Sequence, residues 1–348
     1  MTQNPHWPAV ANWYHAMFTG AILRTIVQRN TADAAALMFR VFRRQHHERF
    51  LPGLEKLGLR GLPDAVAAAS YHYLSNRIGG VRVEFMRESD RKAWVRFPPP
   101  RWVWHGISVC AIPGDVATAM LRGWQAHNGV SLGNPRLGFV CTKQMPDGQP
   151  GLEGYFYEHD HDLPPEDRLR FARHEEAPEF DPEAAPKLDS SLWPAERLAK
   201  AHRNYAMEYV RSLLPEALHQ FGPQDSVHLI GGAARLIAMQ LYAETAHSLD
   251  VTGTDAASFA QFWILLGAAQ GDEVTVEPDG SALILRQPGW SLMRGVPERH
   301  HPALFDCWNG LMEGALAAHN HRLRVQVLRR PDETGGEIVW RIGSHQLH

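Results

Sequence analysis

Twenty histidines and eleven tryptophans give this 348-residue chain most of its chemical potential. His72 stands between Tyr71 and Tyr73 in "AASYHYLSN", on a stretch otherwise built of Ala and Val. A neutral imidazole is a good iron ligand, and a helix face of small residues lets a flat macrocycle approach. The competing reading is a buried histidine bonded to a backbone carbonyl. His159 and His161 in "EHDHD" would share one face of a strand and suit a metal, or simply form a solvated junction. The adjacent pairs in "RRQHHERF" (43–50) and "RHH" (299–301) do not share a helix face and read as surface. "PPPRWVWHG" alternates Trp102 and Trp104 onto one side of a strand, flanked by Arg101 and His105. They are core, the aromatic wall of a pocket, or both, and with Tyr73 they are the expected substrate-pocket residues. Cys110 and Cys141 fall in expected strands; without a partnered His and Asn at a known spacing they read as buried thiols rather than nucleophiles or iron ligands.

The elements that must hold these residues follow from patterning. In the first half, helices are expected near 9–28, 31–50 and 63–77, and strands near 81–87, 92–97 and 103–110. A helix near 114–128 and a hairpin at 136–142 and 152–158 complete that half. Thr31 and Asp33 offer cap chemistry for the second helix, and Gly79-Gly80 ends the third. The text then repeats at an offset of about 183–193 residues. "WPA" stands at 7–9 and 193–195, and "VRVEFMRESDRKAWVRF" (81–97) parallels "VTVEPDGSALILR" (274–286). "QAHNG" (125–129) parallels "AAHNH" (317–321), where His127 and His319 suit the last helical turn and Asn the left-handed position after it. The expectation is an α+β fold of two tandem repeats, each a helical lobe followed by an antiparallel ββαββ unit, packed as a pseudo-dimer. Residues 1–160 form the first repeat and 193–348 the second. The Pro- and acid-rich stretch 161–192 reads as a linker with one short helix at 165–173.

Bulk properties narrow the function. A net charge of −3 without a basic tract argues against nucleic acid and anionic membranes as partners. No run of about 18 apolar residues exists to span a bilayer. Three scattered cysteines and an N-terminus without signal-peptide pattern lead to an expected cytoplasmic location. "IGGAARLIAM" (230–239) lacks the G-x-G-x-x-G frame, and no phosphate loop, G-x-S-x-G elbow or HExxH occurs, so no nicotinamide, flavin or standard hydrolase motif is present.

The order of elements, with "YHYLSNRIGGVRVEF" and "RLGFVCTKQMPDGQPGLEGYF", resembles a superfamily of small-molecule domains. It holds the haem-based nitric-oxide/oxygen-binding domains, the four-vinyl-reductase-type domains and transport-particle subunits. The resemblance covers roughly residues 31–158 and 205–343. It implies an apolar ligand between helical lobe and sheet, and His72 as axial ligand to the iron of haem b. The chain departs from the haem branch on its second strand, where "AWVRFPPPRW" stands in place of Tyr-x-Ser-x-Arg. "FAQFWILLG" in the second half has no counterpart of His72, so at most one haem per chain is implied. The chain also resembles the trans-anethole oxygenases in length and in lacking familiar oxygenase motifs.

Three functions follow as expectations. The first is a haem-dependent oxygenase acting on a small hydrophobic aromatic substrate, such as cleavage of an aryl-alkene side chain to an aldehyde. The second is a non-catalytic small-molecule binder or sensor. The third is a cofactor-free hydrolase or lyase on a small apolar substrate. A homodimer is compatible with each.

Overall fold

The computed structural model describes residues 6–99, 111–331 and 336–344. Arg101, Trp102, Trp104, His105 and Cys110 lie outside the described residues.

The chain is mixed helix and strand, of the expected α+β class. Helices α1 (Trp7–Gln28), α2 (Thr31–Lys56) and α3 (Asp64–Ile78) lead into strands β1 (Glu84–Ser89) and β2 (Lys92–Phe97). Then come α4 (Gly114–Gly123), α5 (Asn128–Leu132), β3 (Leu137–Gln144), β4 (Leu152–Glu158) and the short β5 (Leu169–Phe171). The second half runs α6 (Ala195–Ser226), α7 (Gly232–Ser248), α8 (Ala256–Gln270), β6 (Thr275–Asp279), β7 (Ala282–Pro288), α9 (His301–Trp308), α10 (Gly310–His319), β8 (Leu323–Arg329) and β9 (Glu337–Ser344). One sheet has the order β1-β2-β4-β3-β5 and the other β6-β7-β9-β8.

Local chemistry sets the helix ends. The cap of α2 lies one residue earlier than its sequence suggests: the Asn30 side chain accepts from Asp33 N at 2.8 Å. Asp255 and Ser258 form a reciprocal capping box on α8, and Gly271, at φ 94°, closes it.

The described residues form two compact units, and the division is not the one the text suggests. The first unit runs from Arg29 to Tyr205; the second joins α1 to the chain from Ala206 onward. The reason is apolar surface. Helix α1 buries residues on most of its circumference, so contacts on one side cannot satisfy it. The Trp13 indole donates to Thr245 Oγ1 at 2.7 Å, and its ring meets Phe262 at 5.9 Å. In turn, the start of α6 completes the first unit. The Tyr205 ring lies so close over Gly79 that no Cβ would fit there, and its hydroxyl donates to Asn76 Oδ1 at 2.8 Å.

The expected linker is part of the first unit. Leu169–Phe171 form a strand parallel to β3 where a helix was expected, and only Pro165–Arg168 turn helically, as a 3-10 turn. Ala172, Ala177 and Phe180 then cover an apolar patch of Met86, Trp94, Val140 and Tyr155. Lys143 anchors this strap: its buried Nζ donates to the carbonyls of Arg173 (3.1 Å) and Glu175 (3.0 Å) and pairs with Glu176 at 2.7 Å. Replacing it with Met keeps the stem and removes the charge. Lys143→Met is expected to cost about 2–3 kcal/mol, since two part-buried carbonyls lose a charged donor. Limited proteolysis around residues 173–180 should accelerate with it. Unchanged cleavage rate and unfolding midpoint would show that Lys143 does not hold the strap.

Candidate functional site

In the first unit, α3 packs against α2 and against the stretch from Trp124 to Leu132. Trp124, Asn128 and Ser131 recur at four and three residues, which places them along one face. His72 is 4% exposed. Its Nε2 lies 3.1 Å from Asn128 Nδ2, its ring stacks on Phe156 at 5.3 Å, and it stands edge-on to Tyr71 and Trp124 at 5.6 and 6.0 Å. Burial holds the imidazole neutral, lowering its pKa to about 3 against a partial opposing effect of the Asn128 hydrogen bond.

His46, expected at the surface, belongs to the same core at 1% exposure. Adjacent residues on a helix diverge, so His47 takes the solvent side while His46 turns inward. His301 is likewise buried, its Nε2 donating to the Val296 carbonyl at 3.0 Å. His46 Nε2 meets Ser131 Oγ at 2.9 Å, and its ring stacks on Phe50 at 4.8 Å. Burial, helped by Arg43, His72, His127 and His47, lowers its pKa to about 2. Such an imidazole is a poor general base near neutral pH, so the His46–Ser131 contact does not make a serine nucleophile.

Several polar atoms here have no hydrogen-bond partner among the described residues: Trp124 Nε1, His46 Nδ1, Gln125 Oε1 and Asn128 Oδ1. Turning the Asn128 amide over would only exchange its two ends, one meeting His72 and the other unmet. Each unmet buried group costs about 1–3 kcal/mol, so a concentration of them marks a place that a polar guest would complete.

Haem does not fit this arrangement. An axial ligand needs a free nitrogen and an open disc around it. Asn128 occupies Nε2 of His72, and Phe156, Trp124 and Tyr71 fill the surrounding space. Tyr73, expected in the same pocket, points elsewhere: its hydroxyl accepts from Arg77 and its ring meets Phe85 and Phe180.

A groove of about 170 Å³ opens on the other side of Tyr71. Tyr71, Ser75 and Ile78 of α3 form its floor, Pro52 and Gly53 of α2 one wall, and Trp193 another. Arg197 lies over the Trp193 ring at 4.1 Å. No Cβ would fit at Gly53, because the Tyr71 ring occupies that space. Tyr71 therefore separates the groove from the His46–His72–Asn128 cluster, its ring stacked at 6.3 Å on Trp124.

In the second unit, α8 carries Trp263, Gly267 and Gln270 at the same spacing as Tyr71, Ser75 and Ile78. The space over them is only about 10 Å³, walled by Trp13, Tyr14 and Trp308. The Tyr14 hydroxyl donates to Gln270 Oε1, and Gln270 Nε2 donates to Asp272 at 2.6 Å. Burial pushes the Tyr14 hydroxyl and the Asp272 carboxyl up from their usual ranges. A wider cleft of about 350 Å³ lies beside the C-terminus of α7, over Tyr242, His247, Asp250 and His319.

The two Ala-His-Asn stretches differ in structure. Asn128 is helical at φ −61° and Asn320 extended at φ −157°; the left-handed residue is Gly133, at φ 74°. His127 Nδ1 contacts the Arg122 carbonyl, whereas His319 accepts a hydrogen bond from the Tyr242 hydroxyl at Nδ1 and donates from Nε2 to Asp255 O at 2.8 Å. What recurs instead is Asn-x-Arg-Leu. Asn134 and Asn320 each accept from the arginine two residues on, at 3.1 and 2.9 Å. Each also ties back to the start of a helix, Asn134 to Asp64 and Asn320 to the Thr254 carbonyl, both at 2.8 Å.

Among the described residues no group of three His, Cys, Asp or Glu side chains could hold a metal ion, and His159 packs on Tyr157 and His161. Cys141 and Cys307 are buried thiols with pKa values pushed up to about 12 by desolvation, which keeps them protonated. No helix among the described residues is long and apolar enough to cross a membrane. Compared with family models, with curated proteins and with solved structures, the chain matches none of them.

Proposed function

We propose that this chain binds a small, neutral, largely apolar aromatic molecule in the groove over Tyr71, and that its two units descend from one duplicated fold of which only the first keeps the groove open. The observation that carries the reading is the contrast over like-spaced helix positions: about 170 Å³ above Tyr71, Ser75 and Ile78, and about 10 Å³ above Trp263, Gly267 and Gln270. The common strand order of the sheets, ignoring β5, and the recurrent Asn-x-Arg-Leu turn support the duplication. At about 170 Å³ the groove is smaller than the sites that hold drug-sized ligands, which suits a single ring bearing a short side chain. The resemblance to trans-anethole oxygenases supplies a candidate reaction, cleavage of an aryl alkene in which dioxygen gives one atom to each of two carbonyl products. The neutral, weakly basic His46 and His72 favour a second reading, a binder without catalysis. The buried, isolated thiols suit the reducing cytoplasm.

Titration with an aryl alkene, followed by tryptophan fluorescence, tests the groove. Saturable binding is expected, and Trp193→Ala should weaken it about tenfold by removing an aromatic wall. Lack of binding up to millimolar ligand would end the proposal. Aldehyde formation under dioxygen, measured with and without added haem, then separates the oxygenase from the binder.

A further inference from the structure

Resting on the groove reading, we infer that the site continues behind Tyr71, and that the cluster of Trp124, His46 and Asn128 receives a hydroxyl group of the bound aromatic molecule. The ligand class is thus a phenol or aromatic alcohol rather than a plain hydrocarbon. Three features converge. Trp124 Nε1, His46 Nδ1 and one end of the Asn128 amide have no partner among the described residues, and Asn128 and His46 are 0% and 1% exposed. The unmet atoms include a fixed donor, the indole N–H, and an amide end whose character depends on its orientation. A hydroxyl both donates and accepts, so it answers either orientation; a carboxylate cannot donate, and an ammonium cannot accept. Finally, the ring that divides groove from cluster is a single side chain. Tyr71 lines the groove on one side and meets Trp124, His72 and Phe50 on the other. If its ring turns aside, the ligand ring takes a place between aromatic faces while its hydroxyl reaches the polar atoms. The neutrality of both imidazoles agrees with a neutral guest.

The test compares p-cresol with toluene, which differ by the hydroxyl alone, by calorimetry on the full chain. A site built to bond a hydroxyl discriminates strongly against the analogue lacking it. The expected result is p-cresol binding at least about tenfold more tightly than toluene. Asn128→Leu, and separately Trp124→Phe, which deletes only the N–H, should bring the ratio towards one while toluene still binds. Equal affinities in the unaltered chain would overturn the inference and leave the groove standing. A ratio that both variants leave unchanged would also overturn it, placing the hydroxyl elsewhere. Failure of both ligands to bind would remove the groove reading itself.

Discussion

At pH 5 the first unit is expected to be about 4 kcal/mol less stable than at pH 7.5. His46 and His72 have folded pKa values of about 2 and 3, against 6.5 for a free imidazole. Below pH 6.5 the unfolded chain protonates both imidazoles while the folded unit keeps them neutral, and His127, His159 and His202 of the same unit, lowered chiefly by burial, act in the same direction. The stability is therefore fully present above 6.5 and drains away as pH falls towards the folded values. Each imidazole contributes about 1.4 kcal/mol per pH unit, hence about 2 kcal/mol apiece at pH 5. Most carboxylate ion pairs are still ionised at that pH, which isolates the histidines from general acid denaturation. The second unit provides a contrast, because Asp272 is shifted up: it binds a proton more readily folded than unfolded, and its effect has the opposite sign. Denaturant unfolding at several pH values checks this. His72→Asn should remove about 2 kcal/mol of the difference between pH 5 and 7.5. A difference below about 1 kcal/mol between pH 5 and 7.5 would mean that the imidazoles are not held neutral as the packing requires.

That prediction was half legible in the sequence. Tyr-His-Tyr amid alanines marked His72 as interior, because small residues on all sides leave no polar face. His46 was not legible: two adjacent histidines among arginines read as surface, and only the placement of α4 and α5 decides which of the pair turns inward. In the first half, most helix spans and both hairpins followed from periodicity, a local property. The pairing of α1 with the second half did not, since periodicity shows how much apolar surface a helix has and not which partner covers it. Lys143 and the strap were missed for a related reason. A segment rich in proline and acid lacks any regular period, yet three residues, Leu169 to Phe171, suffice to extend the sheet beside β3. The Ala-His-Asn pair misled because identical triplets can occupy different backbone conformations. The better landmark, Asn-x-Arg-Leu, has one fewer identical residue in a row but the same turn hydrogen bond from the arginine N–H to the asparagine Oδ1.

Trp308→Ala tests whether the closed space of the second unit is the counterpart of the open groove. Trp308 is 2% exposed and packs against Trp263, Trp290 and Trp340 at ring distances of 5.9, 5.3 and 6.3 Å. Removing a buried indole is expected to cost about 3–5 kcal/mol, the lost transfer energy plus the cavity left behind. The remaining walls, Trp13 and Tyr14 of α1 and Trp263 of α8, are held from two helices, and Trp13 and Tyr14 are tied by hydrogen bonds to Thr245 and Gln270. They cannot all collapse inward without breaking those bonds, so much of the space should persist. An apolar cavity of that kind accepts a small aromatic guest. Toluene should then bind the variant in two equivalents where the unaltered chain takes one, and at a hundred times its dissociation constant should restore about 2.7 kcal/mol to the second unit. A cost below about 1 kcal/mol would mean that neighbouring side chains refill the space. A full loss of stability with no second equivalent would separate the two sites, leaving the spacing shared by α3 and α8 a matter of packing alone.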